Sequence, residues 1–373
     1  MQKNNQVTPG QTIGIIGGGQ LGRMMAIAAR YMGYKIAVLD PAVNCPTAQV
    51  ADIQITAAYD DMEAIKELTE ISDVVTYEFE NVDLHAAKYI EEKRKLPQGA
   101  LALEITQNRQ KEKELMRDLE LPVAQFTIVT SGDECEKALH DFPLPAVIKT
   151  CRGGYDGKGQ LKIESIEDLR DAIEFAEKNK HCIIEEWLTF DKEISVIFTR
   201  SFTGEITYFP IAENEHRDHI LYKTTAPAKV STDIHIESAR LIAEKMNIIG
   251  TFAIEMFVSG EELYLNEMAP RPHNSGHYTI EACNISQFGQ HIRAICGLPL
   301  MKLKQLKPAI MINILGEDVE SVIRAMTKTD NAFVHLYGKD EAKVKRKMGH
   351  ITFIGDSIAE IEEQVKAFET AKK

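Results

Sequence analysis

Between Ile148 and Leu161 the chain reads Lys149-Thr-Cys-Arg-Gly-Gly-Tyr-Asp-Gly-Lys-Gly159-Gln160, four glycines within seven residues and a lysine at each of 149 and 158. Glycine amides without neighbouring side chains can turn toward an anion, and the lysines supply the charge that a polyphosphate needs. The run is not a P-loop. That motif requires glycine at 152, where Arg stands, and Ser or Thr after Lys158, where Gly159 stands. The flanks, Pro145-Ala-Val-Ile-Lys149 and Gln160-Leu-Lys-Ile163, both read as strands. A hairpin tip that can close over phosphates is therefore predicted, not a loop fixed at a helix N-terminus.

A second constellation is acidic. Thr251–Val258 and Glu262–Met268 read as strands joined at Ser259-Gly260. With the turn centred on Glu261, Glu255 faces Glu267; a shift of one residue puts Asn266 there instead. Like charges opposed on a strand pair are destabilising, and burial adds to the penalty. A hard divalent cation, Mg²⁺ or Mn²⁺, relieves both and can bridge to phosphates. The strand then breaks into Ala269-Pro-Arg-Pro-His-Asn-Ser-Gly-His277. Its prolines hold Arg271 extended, a bidentate donor for an anionic reactant or a moving phosphoryl group, with His273, Asn274 and His277 beside it. In Cys182–Leu188 the strand-end residues Glu185, Glu186, Trp187 and Leu188 could offer backbone groups to an adenine edge, and Glu193 could accept ribose hydroxyls.

Three further runs concern a smaller anion. Gly17-x-Gly19-x-x-Gly22 lies between strand and helix, with Asp40 ending the next strand. This fits the dinucleotide fingerprint and makes an NAD-dependent oxidoreductase a rival, although the same geometry grips a lone phosphate. A second phosphate loop and the lack of a hydride-transfer dyad weigh against redox chemistry. Thr76-Tyr-Glu-Phe-Glu-Asn81 places Glu78 and Glu80 at the C-terminal end of a strand, where α/β sheets bind ligands. Lys339, Lys343, Lys345, Arg346 and Lys347 cluster beside Gly349-His350.

The elements that must position these groups follow from periodicity. Residues 12–107 alternate in βαβ fashion, with strands at 12–16, 34–40 and 74–77, implying a parallel sheet. A charged helix starts after Asn108. Residues 122–186 read as two strand–loop–strand units with one helix near 167–179, a small hinged α+β lid. Residues 187–298 read as a central antiparallel-sheet α+β region with a helix near 236–246. Strands near 308–314 and 333–337 and a helix from about 357 make a small C-terminal domain. The expected domains are 1–107, 108–298 and 299–373. The 373 residues are 44% hydrophobic and 27% charged, an ordinary globular composition. A net charge of −13 argues against nucleic acid or an anionic membrane as partner. The six cysteines form no Cys-x-x-Cys pair, the first residues carry no apolar signal core, and no apolar run reaches spanning length. A cytoplasmic protein is expected.

Together these runs resemble the ATP-grasp superfamily. Gly17–Met24, Thr76–Asn81, Gly153–Gln160, Glu185–Leu188, Arg271–His277 and Arg346–His350 are similar, in order, to the 5-(carboxyamino)imidazole ribonucleotide synthase family of purine biosynthesis. The resemblance spans about residues 12–355. It implies an α/β ATP-grasp fold and an ATP-dependent carboxylation of 5-aminoimidazole ribonucleotide by bicarbonate through carboxyphosphate, with Mg²⁺ on Glu255 and Glu267, in a homodimer. It implies ATP contacts at Arg109, Lys149, Gly154, Tyr155, Asp156, Gly157, Lys158, Gly159, Gln160, Glu185 to Leu188, Glu193, His216, Asn266 and Glu267. The imidazole nucleotide would meet Gln20, Leu21, Glu78, Glu80, His273, Asn274, Lys339, Arg346 and Lys347. Tyr155, Asp156, Arg271 and Lys347 would be catalytic, Asp156 handling the proton of the reacting amine. One departure stands out: the family often has Arg-Pro-Gly before the Arg-Lys pair, where this chain has Lys343-Val-Lys345, and Lys343 lacks the bidentate geometry.

Overall fold

The computed structural model describes residues 6–153, 159–230, 233–330 and 332–372. The chain forms two compact units. One comprises Met1–Leu103, Ile194–Ile254 and Ala269–Lys373; the other comprises Glu104–Glu193 and Glu255–Met268.

The first unit opens with the predicted alternation. Strands β1 (Thr12–Ile16), β2 (Lys35–Leu39), β3 (Ile53–Ile55) and β4 (Val74–Tyr77) pair in parallel in the order β3-β2-β1-β4. They are apolar along most of their length because a parallel sheet is covered on both faces. Ile13, Ile15 and Ile36 pack with Met25, Ala29, Phe288 and Ile292. Ile16, Leu39 and Val75 join Ile65, Leu68 and Ile90. β2 and β4 flank β1 on opposite sides, so the chain order reverses at β1 and the C-terminal ends of β1 and β4 form the switch point where such sheets bind ligands. Gly17–Gly22 and Glu78–Glu80 stand there.

In the second unit β5 (Phe126–Val129), β6 (Ala146–Thr150), β7 (Gln160–Ile163) and β8 (Cys182–Glu186) form an antiparallel sheet in the order β5-β8-β6-β7. Lys149 pairs with Gln160, so the glycine-rich loop is a hairpin tip, as its flanks predict. The reading of 122–186 with a single helix is corrected. A second helix, Gly132–Asp141, starts at Ser131, whose hydroxyl accepts from Glu134 N–H. It packs with Leu169–Asn179 over the sheet through Cys135, Leu139, Ala172 and Ala176. Its apolar positions are few and small, which hides the helical period.

The remaining strands are β9 (Lys192–Arg200), β10 (Ile206–Tyr208), β11 (Ala212–Arg217), β12 (Ile220–Ala226), β13 (Gly250–Ser259), β14 (Glu262–Ala269), β15 (Ala309–Leu315), β16 (Phe333–Leu336) and β17 (Lys347–Ile354). They form one sheet in the order β14-β13-β9-β11-β12-β15-β17-β16, with β10 on β9. β13 and β14 make the predicted hairpin, turning at Gly260 with φ +58°. Neither β17 nor the helix Gln287–Ile295 was foreseen. β17 separates β15 from β16, pairing His350 with both Asn313 and His335. Helix Gln287–Ile295 is capped by Ser286 Oγ, which accepts from Gly289 N–H. No described helix is long and apolar enough to cross a membrane.

Candidate active site

The groups read as ATP ligands gather in the second unit. Asn108 caps the helix Arg109–Asp118 by accepting from Gln110 N–H at 3.0 Å, which sets Arg109 in its first turn. Arg109 Nη1 lies 3.8 Å from Glu267 Oε2 on β14. On β6, Lys149 Nζ donates to Glu185 Oε2 of β8 at 2.5 Å. Burial alone would raise Glu185, but Lys113 and Lys149 outweigh it and hold its carboxyl at about 2. The Glu185 anion is thus permanent, and its other oxygen is buried without a hydrogen-bond partner. Trp187 donates its backbone N–H to Pro145 O at 3.1 Å, and Lys162 Nζ sits 4.5 Å from its ring centre. Leu188, Glu193, Glu255 and Asn266 are half-buried in the same unit, and Gly159 O accepts from Thr150 N–H at 2.9 Å. His216 belongs to the first unit, at a bulge in β11. Gly154, Tyr155, Asp156, Gly157 and Lys158 lie outside the described residues.

Sequence reasoning missed Glu112 and Lys113, each 3% exposed. The signal was present: the helical period that buries Leu115 and Met116 also buries positions 112 and 113. Burial first, and then the Glu267 charge, push the Glu112 carboxyl up to about 8. Among the described residues no group of three or more His, Cys, Asp or Glu forms a ready metal cage. Two half-buried carboxylates on one hairpin fit a hard cation that keeps waters and takes its other ligands from phosphates. The crowding of Glu112 on Glu267 fits it too, since positive charge is in demand there.

The groups read as imidazole-nucleotide ligands gather in the first unit. The glycine loop differs from a dinucleotide site in one decisive respect: its amides are already occupied. Gly18 N–H donates to Asp40 Oδ2 at 2.7 Å, Gly19 N–H donates to Glu78 Oε1, and Gly22 N–H donates to Glu78 Oε2 at 2.7 Å. Burial raises the Glu78 carboxyl against the pull of these amides. Among the described residues the intervening amides of Gln20 and Leu21, at the start of helix Gln20–Tyr31, have no protein acceptor. Glu80 forms an ion pair with Arg271. Of the basic cluster, Lys343 is paired with Glu341 at 2.9 Å and Lys345 with Asp218 at 2.9 Å. Lys339 Nζ donates to Lys347 O at 2.7 Å, and burial, then Arg346, lower it to about 8. Arg346 is exposed, its Nη1 donating to Glu341 O.

The loop 270–277 is fixed by side chains that the sequence did not single out. Gln287 accepts from His273 N–H at 2.9 Å and donates to His273 O at 2.7 Å, like a neighbouring strand. Burial, then Arg271 and Lys347, hold His273 well below its ordinary pKa, so it is neutral. Asn274 exchanges hydrogen bonds of 3.0 and 2.9 Å with Asn313, so its amide is engaged internally. Behind the loop, Gln98 Nε2 donates to Pro270 O at 2.8 Å, and its Oε1 accepts from Thr76 Oγ1 at 2.6 Å. One buried amide therefore ties Arg271 to the strand carrying Glu78.

A strand hairpin carrying a lysine–carboxylate pair, joined in one chain to a phosphate-sized pair of open amides at a helix N-terminus, is the arrangement of a nucleotide-dependent ligase of the ATP-grasp class. Family models agree: a ribonucleotide synthetase preATP-grasp domain matches residues 10–107, an ATP-grasp domain matches 114–288, and a phosphoribosylaminoimidazole carboxylase C-terminal domain matches 309–364. The N5-carboxyaminoimidazole ribonucleotide synthase of Bacillus subtilis is 50% identical over 352 residues, covering 93% of this chain and 92% of its own. A crystal structure of an N5-carboxyaminoimidazole ribonucleotide synthetase as its ADP complex has a TM-score of 0.94 at 50% identity, covering 98% and 97% of the two chains. The Aspergillus clavatus synthase with ADP and 5-aminoimidazole ribonucleotide has a TM-score of 0.88 at 31% identity, covering 97% and 99%. The chain belongs to the N5-carboxyaminoimidazole ribonucleotide synthase family.

Proposed function

We propose that the two groups of residues divide this family's reaction, most of the ATP contacts falling in the second unit and the contacts to 5-aminoimidazole ribonucleotide in the first, which also carries His216 and Arg271. The enzyme carboxylates that nucleotide with bicarbonate at the expense of ATP, in purine biosynthesis. A bicarbonate oxygen attacks the γ-phosphorus, the β–γ bridging bond breaks, and ADP leaves. The exocyclic amine then attacks the carbon of carboxyphosphate, or of CO₂ released from it. Phosphate departs, and the amine proton passes to a base, assigned to Asp156 near Tyr155. Phosphoryl transfer needs positioning and charge neutralisation above all, which Arg109, Lys149 and Arg271 supply. Mg²⁺ or Mn²⁺ held by Glu255 and Glu267, with Asn266 beside them, would neutralise the triphosphate. Gly154 to Gln160, Glu185 to Leu188, Glu193 and His216 complete the ATP contacts in this reading. Gln20, Leu21, Glu78, Glu80, His273, Asn274, Lys339, Arg346 and Lys347 complete the nucleotide contacts.

The observation that carries the division is the occupied glycine loop. Asp40 and Glu78 fill the amides that a dinucleotide pyrophosphate would use and leave Gln20 and Leu21, enough for a monophosphate. We also place functional boundaries at 1–107, 108–298, with a lid over about 122–186, and 299–373; the matched ranges support this. A cytoplasmic location is supported by six cysteines that are all free and buried. A homodimer is the state that the resemblance implies, and the net charge of −13 disfavours nucleic acid. The test is ADP release with MgATP and bicarbonate, with and without 5-aminoimidazole ribonucleotide. Strong stimulation by the nucleotide is expected; a rate indifferent to it sinks the substrate assignment.

A further inference from the structure

The helix Arg109–Asp118 carries two buried ionisable side chains that the reaction above does not use. Glu112 Oε1 accepts from Met268 N–H at 2.6 Å, and Lys113 Nζ donates to Leu265 O at 3.2 Å. Both partners are backbone groups of β14, the edge strand of its sheet. Between the two anchor points lies the dipeptide Asn266–Glu267. On the same strand Leu265 N–H donates to Pro122 O at 2.8 Å, so this edge is paired away from its sheet as well as into it. One turn earlier on the helix, Arg109 approaches Glu267 at 3.8 Å. Lys113 also lies 3.8 Å from Glu185, whose other oxygen takes Lys149. Burying two ionisable groups to hold an edge strand is unfavourable compared with an apolar contact of the same shape. The arrangement does, however, fix a strand's direction to within a hydrogen-bond length.

We infer that Glu112 and Lys113 are positioning residues of the ATP half-site. They clamp β14 on either side of Asn266–Glu267 and, through Glu185, tie that dipeptide to Lys149. The inference rests on the reading that Glu267 holds the metal of a metal–nucleotide complex, and the test separates the two. Mn²⁺ binding to the full chain is measured without turnover, by the spin-resonance signal of free Mn²⁺ in the presence of ADP. Glu112→Gln keeps an oxygen for Met268 N–H and is expected to bind Mn²⁺ within about threefold of the native chain. Glu112→Met keeps the volume without the acceptor and is expected to bind at least about tenfold more weakly, the cost of leaving the buried Met268 N–H without its acceptor. The KM for 5-aminoimidazole ribonucleotide stays within about twofold in both. Native Mn²⁺ affinity in Glu112→Met, or equal losses in the two variants, overturns the clamp. If Glu112→Met does not fold, Lys113→Met is read instead: the KM for MgATP rises about tenfold with the other KM unmoved, and a native KM for MgATP overturns the clamp. A merely structural role would lower the melting temperature and move neither binding constant. Glu267→Gln is the reference: if it binds Mn²⁺ like the native chain, the metal assignment fails, whatever the clamp variants do.

Discussion

Lowering the pH from 7 to 5 will destabilise the first unit through His291, a buried ring whose hydrogen bonds fix it in one neutral tautomer. Thr76 Oγ1 gives its proton to Gln98 Oε1, so it can only accept from His291 Nε2–H, at 2.9 Å. On the other side of the ring, Thr251 N–H donates to Nδ1 at 3.0 Å. The ring is therefore locked in one neutral tautomer, and a second ring proton would point at a donor. Burial lowers the group from 6.5 to about 3. The sign follows: above 6.5 neither state binds the proton, and below it the unfolded chain takes one that the folded chain refuses. Stability is complete above pH 6.5 and is lost as pH falls toward 3, at about 1.4 kcal/mol per pH unit. At pH 5 the loss from this ring is about 2 kcal/mol, set by the unfolded histidine because the folded value lies well below 5. The assay is urea unfolding at several pH values for the native chain and for His291→Gln, which keeps a donor for Thr76. The variant loses about 1–3 kcal/mol at pH 7, because Thr251 N–H is left without its acceptor. Its stability should then fall less steeply with acid, by one proton's worth. Parallel slopes, or a ring-nitrogen resonance showing His291 as imidazolium at pH 5, would refute the argument.

Three other consequences can be checked directly. Burial and the neighbouring Arg346 and Lys347 hold Lys339 at about 8, so it loses its charge above that pH; the KM for 5-aminoimidazole ribonucleotide should rise there, by up to about tenfold, and Lys339→Arg should flatten the profile. Gly276→Ala puts a methyl 2.6 Å from Gln287 Cδ and from Ile197 Cδ1, both buried; a stability loss of about 1–3 kcal/mol is expected, with a raised KM from the displaced His273, and an unchanged melting temperature would show that the site can yield. Glu78→Gln can accept only one of the two amides it now serves, so kcat/KM for the imidazole nucleotide should fall at least about tenfold with KM for MgATP unchanged; equal changes in both would remove Glu78 from that half-site.

What the sequence made legible was whatever has a period or a turn. Three of the parallel strands, β1, β2 and β4, announced themselves by runs rich in Ile, Val and Leu, and the two hairpins by glycine between strand-like runs; β3, only Ile53-Gln-Ile55, did not. Helix Gly132–Asp141 was hidden because its buried face is built from Gly132, Cys135 and Leu139 only. β17 was hidden because a lysine–arginine run at its start drew attention to charge, while its next six positions are buried. Single residues drew notice only where type and neighbours agreed, as for Lys149 and Glu267, which the fold sets beside Glu185 and Arg109. Gln98, Gln287 and Asn313 left no trace, since a buried amide looks like any surface amide until its partners, here 172, 14 and 39 residues away, are known.

The fingerprint Gly17-x-Gly19-x-x-Gly22 shows why a motif alone underdetermines chemistry. In either family the glycines let the backbone turn tightly and approach its neighbours, and that requirement is met here: a side chain at Gly19 would start 2.6 Å from Glu78 Oε1. What the glycines approach is decided elsewhere in the chain. An acidic residue that ends β2 could turn outward to a ribose; Asp40 turns inward to Gly18 N–H, held by Tyr59 Oη at 2.6 Å. Glu78, one residue past β4, takes the next two amides. Two carboxylates in the loop repel a pyrophosphate where bare amides would have attracted it. The same glycine spacing thus serves a dinucleotide where the amides are open and excludes one where the protein has supplied its own anions. Opening those amides by replacing Asp40 and Glu78 together should therefore let the loop take up an added anion, before any change in the glycines themselves.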